Sequence, residues 1–488
     1  MTVDQLADPT AAQLARPVPR LARRLRRPLV SALPLLACAI AAWASLAVPS
    51  VLGYDPWVWL VWGREFRVGA DFTLRLAVSD GSIAWKPLPV LFTTPLALFG
   101  DAAPQLWTVL ARTAGLFGLV SAFRLAGRFA GPIAGTVAVA ALLLTPDGEA
   151  RWIRHLLQTN IEPVTVMLCL VAVERHLDGR RGQAILFGAA AGLTRPEVWP
   201  FLLVHAVWVV WRAPRLAAVA LPALGAIPVL WFAGDALVSG NPVAAATVAR
   251  VLTGTTAERL AVALANAADI VVLPVWVAAA VATIWAAHRR IGAPVALAAC
   301  VVGWAAVVAT MAGAFGYAAL GRFYAPAAAA VCVLAGIAVG WAVAAARPVL
   351  IRLLVIVGLV ACAVPFATER AAWLPAQVAM AGERAAVAAD LDVVVAAIGG
   401  RDTVLACGAV SVESSGPALE ARPRLVWTLD VPLATVRHYP DPPPIIGIAQ
   451  AGGLLDVSLS VQPDDAVRPL ARTRFWAAYA YLCPPALR

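Results

Sequence analysis

Long apolar runs recur between residues 29 and 367, separated by short polar links, and no other feature narrows the fold as much. A soluble domain asks of a helix one apolar stripe, whereas a run apolar all round has to face lipid or the interior of a large bundle. The runs fall near 29–49, 105–123, 131–145, 161–174, 183–194, 198–211, 216–233, 260–287, 292–312, 325–346 and 349–367. They imply an all-α polytopic membrane protein with about eleven transmembrane helices of ~20 residues. Only 14% of the residues are charged, against about 25% in a soluble domain. The runs at 183–194 and 198–211 are short, so each is tilted, re-entrant or extended by its neighbours.

The polar links sort into two sets. Arg124 and Arg128, Arg175, Arg180 and Arg181, Arg212 and Arg215, Arg289 and Arg290, then Arg347 and Arg352 occupy every second link. Residues 1–28, with six arginines from Arg16 to Arg27, form a basic arm on the same side. A net charge of +10 invites a nucleic-acid partner, but its placement follows the positive-inside rule, so these links are cytoplasmic and no nucleic acid is implied. The run at 29–49 is too long for a cleaved signal and reads as a retained first helix. An odd number of crossings then puts the C-terminus outside the cytoplasm. The membrane region is 29–367, and 368–488 reads as a small extracytoplasmic α/β domain. Its helix is expected at 376–399 and its strands at 403–407 and 424–429. Cys407 and Cys483 lie in this part, where an oxidising compartment permits pairing.

The other links, 50–104, 146–160, 194–197, 234–259 and 313–324, hold the candidate chemistry. In "GYDPWVWLVWGRE" Asp55 stands among Trp57, Trp59 and Trp62. A partly desolvated carboxylate there suits a base, and Asp-Pro equally suits a helix cap. Lys86, the sole lysine, follows Trp85 and either holds a phosphate or snorkels. The loop 145–163 carries Asp147, Glu149, Arg151, Arg154, His155 and Glu162. Asp147 and Glu149 are candidate ligands for a divalent cation, with internal ion pairing as the alternative. In "TRPEVWP" Arg195 and Glu197 flank a proline, and irregular backbone at this depth is tolerated only in protein or around a wet cavity. They form a buried pair, or Arg195 grips a phosphate. In "GRFYAP" Arg322 and Tyr324 precede the tenth run, Arg322 as ligand or as leaflet anchor. The segment 87–100 reads as interfacial.

Together "GYDPWVWLVWGRE", the acids and His155 of the second loop, "TRPEVWP", "GRFYAP" and the C-terminal domain resemble the GT-C superfamily of membrane glycosyltransferases. Within that group the chain looks most like actinobacterial members, and its composition, rich in alanine and with arginine in place of lysine, agrees with that resemblance. The resemblance implies a polyprenyl-phosphate-sugar donor, a glycan, glycolipid or protein acceptor in the cell envelope, and transfer on the outer face with inversion. Asp55 would be the general base. Lys86, Arg195, Glu197, Arg322, Tyr324 and His155 would bind the donor, and Trp57, Trp59 and Trp85 would stack on sugars or line the lipid groove. Mannose and arabinose are the sugars it suggests. Many relatives carry two adjacent acids in the first loop, whereas Pro56 follows Asp55 here, so Mg²⁺ or Mn²⁺ is not required by the pattern. A lipid or glycolipid transporter and a non-catalytic assembly partner are the competing classes; no repeat of "TRPE" or "GYDPW" supports the transporter.

Overall fold

The computed structural model describes residues 20–67, 85–144, 152–346, 348–413, 418–438, 445–462 and 467–483. Arg20–Ala44 (α1) opens the membrane region. Tyr54–Arg67 (α2) and Pro87–Leu96 (α3) lie in the long link that follows. Ala103–Leu144 (α4) is interrupted at Ala130 and at Gly131, whose φ of 79° suits glycine, just before Pro132. There the chain reverses: a side chain at Gly135 would strike the Phe123 carbonyl, so the two arms lie side by side. The runs 105–123 and 131–145 are thus two antiparallel helices.

Trp152–Gln158 (α5) and Glu162–Leu177 (α6) meet at a 115° bend. Arg181–Gly192 (α7) and Trp199–Arg212 (α8) flank the break at Arg195. Ala217–Ser239 (α9) and Ala244–Val248 (α10) follow. The run 260–287, expected as one crossing, is two helices, Thr256–Ala268 (α11) and Leu273–His288 (α12), bent by 84°. Pro274 takes the start of a new helix and disfavours helical backbone at the residue before it, which ends the first. Gly292–Phe315 (α13) leads to Ala325–Ala345 (α14). Among the described residues, five helices are long and apolar enough to cross a membrane, or up to seven if each bent pair is one span.

α14 is the centre of the bundle. Every residue from Ala325 to Gly340 is buried. Gly336 and Gly340, one turn apart, let its backbone lie against Ala130, Ala134 and Ala138 of α4. Small residues allow such contact where lipid supplies no hydrophobic drive between helices. α9 instead exposes Leu221, Val229 and Phe232, as a lipid-facing helix does.

Val349–Ile398 (α15) is a single 50-residue helix that passes residue 368 unbroken, its final part covering the expected helix 376–399. Arg401–Leu405 (α16), Val410–Val412 (β1), Ala421–Thr428 (α17), Val436–His438 (β2), Ile445–Gln450 (β3), Leu454–Ser460 (α18), Val467–Arg472 (β4) and Trp476–Tyr481 (β5) complete a small α/β domain. Its sheet has the order β2-β1-β3-β5-β4, parallel across β2-β1-β3 and antiparallel across β3-β5-β4. The segments 403–407 and 424–429, expected as strands, are instead α16 with its following turn and α17. An apolar run this short has no period of its own, and the buried six-residue strands of the sheet come instead from "IIGIAQ" and "WAAYAY". Cys407 and Cys483, 76 residues apart, form a disulfide. The Trp476 indole donates to the Val387 carbonyl at 2.8 Å, and Asp390 accepts from the Phe475 amide at 2.7 Å, fixing the sheet to α15.

Candidate active site

Two backbone contacts bring the polar links to one place. The Gly53 amide donates to the Gln158 carbonyl at 2.9 Å, and a side chain at Gly53 would strike Asn160. This ties the head of α2 to the α5–α6 bend. The Leu88 amide donates to the Leu193 carbonyl at 3.2 Å, tying the head of α3 to the α7–α8 break. Asp55 then lies within the first turn of α2, which begins at Tyr54, and is not its cap. Lys86 precedes α3 in extended backbone. Lys86 Nζ stands 2.8 Å from Asp55 Oδ2, and 4.9 Å over the Trp59 ring. The lysine side chain is 11% exposed and the aspartate 32%, so the acid is the member of the pair that a solute can reach.

Beside this pair lies a buried cluster. Arg195 Nη2 donates to Glu162 Oε1 at 2.5 Å, and its Nη1 is 3.6 Å from Glu197 Oε1. His155 Nδ1 lies 3.5 Å from Glu162 Oε2, and the Tyr317 hydroxyl donates to Glu197 Oε1 at 3.2 Å. Thr165 and Thr194 share a hydrogen bond of 2.8 Å that locks α6 to the break. Phe323 floors the cluster, with the Arg195 guanidinium 4.4 Å and that of Arg322 5.7 Å from its ring centre. Arg322 differs from Arg195 in its partners: among the described residues no carboxylate pairs with it, while its Nε, like that of Arg195, is buried without a hydrogen-bond partner. Desolvation opposes the charge on Asp55, but Lys86 and then Arg322 outweigh it and hold the carboxyl below its ordinary range.

The remaining expectations fare differently. Trp57, Trp59 and Trp85 are all buried among other side chains. Trp59 packs on Trp107 and Trp57 on Trp427. Trp85 donates to the Leu230 carbonyl at 2.9 Å and presses on Gly234. Tyr324 is completely buried and donates to the Ala263 carbonyl at 2.8 Å, which leaves it no face for a donor. Asp147 and Glu149 lie outside the described residues. Glu162 and Tyr317 are central here; Glu162 stood among the ions of the 145–163 loop without a role of its own, and Tyr317 was not singled out. The signal for Glu162 was an acid directly before a helix-starting proline in "TNIEP".

The C-terminal domain rests on the same helix that carries Asp55. Arg64 of α2 donates to the carbonyls of Trp427 at 3.1 Å, Val426 at 3.2 Å and Val431 at 2.8 Å, closing the carboxyl end of α17. It also meets Asp430 at 3.0 Å. Glu65 accepts from the Leu433 amide at 3.1 Å, and buried Arg422 reaches the Tyr54 hydroxyl at 3.4 Å.

No family model and no curated protein matches the sequence. The tertiary structure does have counterparts. A crystal structure of ArnT from Cupriavidus metallidurans bound to undecaprenyl phosphate matches with a TM-score of 0.52, covering 91% of this chain and 97% of that one at 16% identity. The apo state of ArnT from the same organism also gives 0.52, covering 93% and 98% at 17% identity. The fold is GT-C-like. Coverage this complete leaves little of either chain outside the shared GT-C-like architecture, and at such identity the likeness is one of architecture.

Proposed function

We propose that this membrane protein is a glycosyltransferase that moves a sugar from a polyprenyl phosphate to a cell-envelope glycan, glycolipid or protein on the outer face of the membrane. The observation that carries this reading is the Asp55–Lys86 pair with Arg322 in the same field, paired with no carboxylate among the described residues. The fold adds support, since a neighbour of the same architecture was crystallised with undecaprenyl phosphate. Orientation follows the arginine links, which place the N-terminus in the cytoplasm, and the Cys407–Cys483 disulfide suits a domain in an oxidising space.

An acid held low by a cation is a weak base, and the donor would correct this. A bound phosphate competes for Lys86 and takes up the free hydrogen bonds of Arg322. Asp55 then loses its partner, gains a neighbouring negative charge and becomes more basic. It accepts the proton of the acceptor hydroxyl as that oxygen attacks the anomeric carbon. The bond from that carbon to the phosphate oxygen breaks on the opposite face, which inverts the centre. The charge growing on the departing phosphate is met by Lys86 and Arg322. Arg195 is already shared by Glu162 and Glu197, so its part is to hold the cleft, with His155 and Glu197 as its neighbours.

The test is incubation of purified protein with a panel of polyprenyl-phosphate sugars, mannosyl and arabinosyl included, following release of free lipid phosphate. Asp55→Asn is expected to insert and fold yet lose transfer by roughly 10²–10⁴-fold. Undiminished transfer by that variant would remove Asp55 as base. Passage of the lipid across the membrane without a new glycosidic bond would favour a transporter.

A further inference from the structure

Away from the candidate active site, towards the arginine-rich links, a second feature takes no part in the proposed transfer. A cavity of about 510 Å³ opens between α6, α7, α8, α13 and α14, with walls mostly of Leu, Val, Ala and Phe. It follows α13 from Gly292 to Trp304. That is about 18 Å at the helical rise, close to one leaflet of a ~30 Å hydrocarbon core.

One end of this slot is polar. His176 and His205 line it with their rings edge to face at 4.9 Å, and His176 Nδ1 and His205 Nε2 are buried without partners. Trp208 packs against both rings, at 5.4 and 6.4 Å. The guanidinium groups of Arg181 and Arg212 lie over its indole at 5.1 and 5.7 Å. Among the described residues, neither arginine has an ion-pair partner. The nearby acids are committed elsewhere: Glu174 faces Arg124 at 3.8 Å and Asp178 meets Arg128 at 2.6 Å. The end of α6, the start of α7 and the start of α13 converge here, since Leu177, Ala184 and Gly292 all line the cavity.

We infer that this slot is a binding site for an anionic phospholipid of the surrounding bilayer, with an acyl chain in the cavity and its phosphate on Arg181 and Arg212. Basic pockets between membrane helices on the cytoplasmic side recognise such headgroups. A neutral lipid would fill the slot but leave both guanidinium groups unanswered, and a free anion would leave the apolar walls unfilled. The site is separate from that of the donor. His176 stands on α6 a full 14 residues beyond Glu162, about 21 Å along the axis.

The experiment is to reconstitute the whole chain in vesicles of phosphatidylglycerol and phosphatidylcholine, extract it gently in detergent, and count retained lipid by native mass spectrometry. Phosphatidylglycerol should be retained in preference. The double variant Arg181→Gln/Arg212→Gln should bind it roughly thirtyfold more weakly, the effect of two arginines at a membrane surface. Ala296→Phe, which fills the slot and keeps both arginines, should also lose it, with circular dichroism and elution volume unchanged in both. Equal retention of the two lipids, or wild-type retention by the double variant, overturns the site. Retention is read without any assay of sugar transfer, so the site stands or falls apart from the proposed reaction.

Discussion

At the scale of single residues, the candidate active site turns on which charges are matched and which are not. Arg195 has two carboxylates and Arg322, among the described residues, has none, although both lie over the same phenyl ring. Desolvating an ion is costly, so a matched cation maintains shape and an unmatched one awaits a ligand. Lys86 occupies a middle position, held by a single acid. Replacing it by methionine removes the strongest influence keeping Asp55 ionised, so the carboxyl should rise toward its ordinary range. The acid limb of the kcat/KM profile should then move to higher pH, and kcat/KM for the donor should fall roughly ten- to a hundredfold. A pH profile of lipid-phosphate release checks both, and an unmoved acid limb would separate Lys86 from the base. Asp55, Lys86, Arg195 and Arg322 could be singled out in the sequence because each is an ion set among aromatic, proline or glycine residues in the arginine-poor set of links. The pairing of Glu162 with Arg195 escaped because the two are 33 residues apart and nothing local announces it.

At the scale of elements, α2 is both the carrier of Asp55 and the seat of α17. Arg64 closes the end of α17 much as a cationic side chain caps a helix, and Trp57 and Trp427 fill the space between. Glu65 makes this contact depend on pH. Burial pushes its carboxyl up to about 7, against the Leu433 amide and Arg64, which favour the charged form. Because the folded value lies above the ordinary 4.5, the contribution of this contact is full below about 4.5 and is lost as pH climbs through about 7. Protection of the α17 amides from hydrogen exchange, taken relative to the intrinsic rate at each pH, should therefore fall across that window, and Glu65→Gln should flatten the dependence. An unchanged slope in the variant would place the titrating group elsewhere. The helical character of α17 and α16 could not be read from "RLVWTL" and "TVLAC", because four or five apolar residues fit a strand and one helical turn equally well.

At the scale of the whole molecule, a helix bundle arranged about α14 supports a domain that reaches back onto α2. The domain is closed by the disulfide between Cys407 and Cys483, which joins the segment after α16 to the end of β5. Opening that loop by Cys407→Ser/Cys483→Ser should cost the domain about 4 kcal/mol, read as a lower thermal midpoint. The α2–α17 contact should loosen with it, while the bundle keeps its helix content. A variant as stable as the parent would mean that the sheet and α15 hold the domain without the bridge.

By itself the sequence determined the membrane class, the positions of nearly all the apolar helices, the two chemically distinct sets of links and the ions most worth watching. All of these follow from local hydrophobicity and charge, which lipid and water read residue by residue. Only the tertiary structure decided that the 260–287 run bends into two helices, that the tryptophans face protein, and that Glu162 answers Arg195. It likewise decided that the C-terminal domain grips α2. Those outcomes depend on contacts between segments far apart in the chain, whose partners are fixed by packing and by the need to satisfy buried charge.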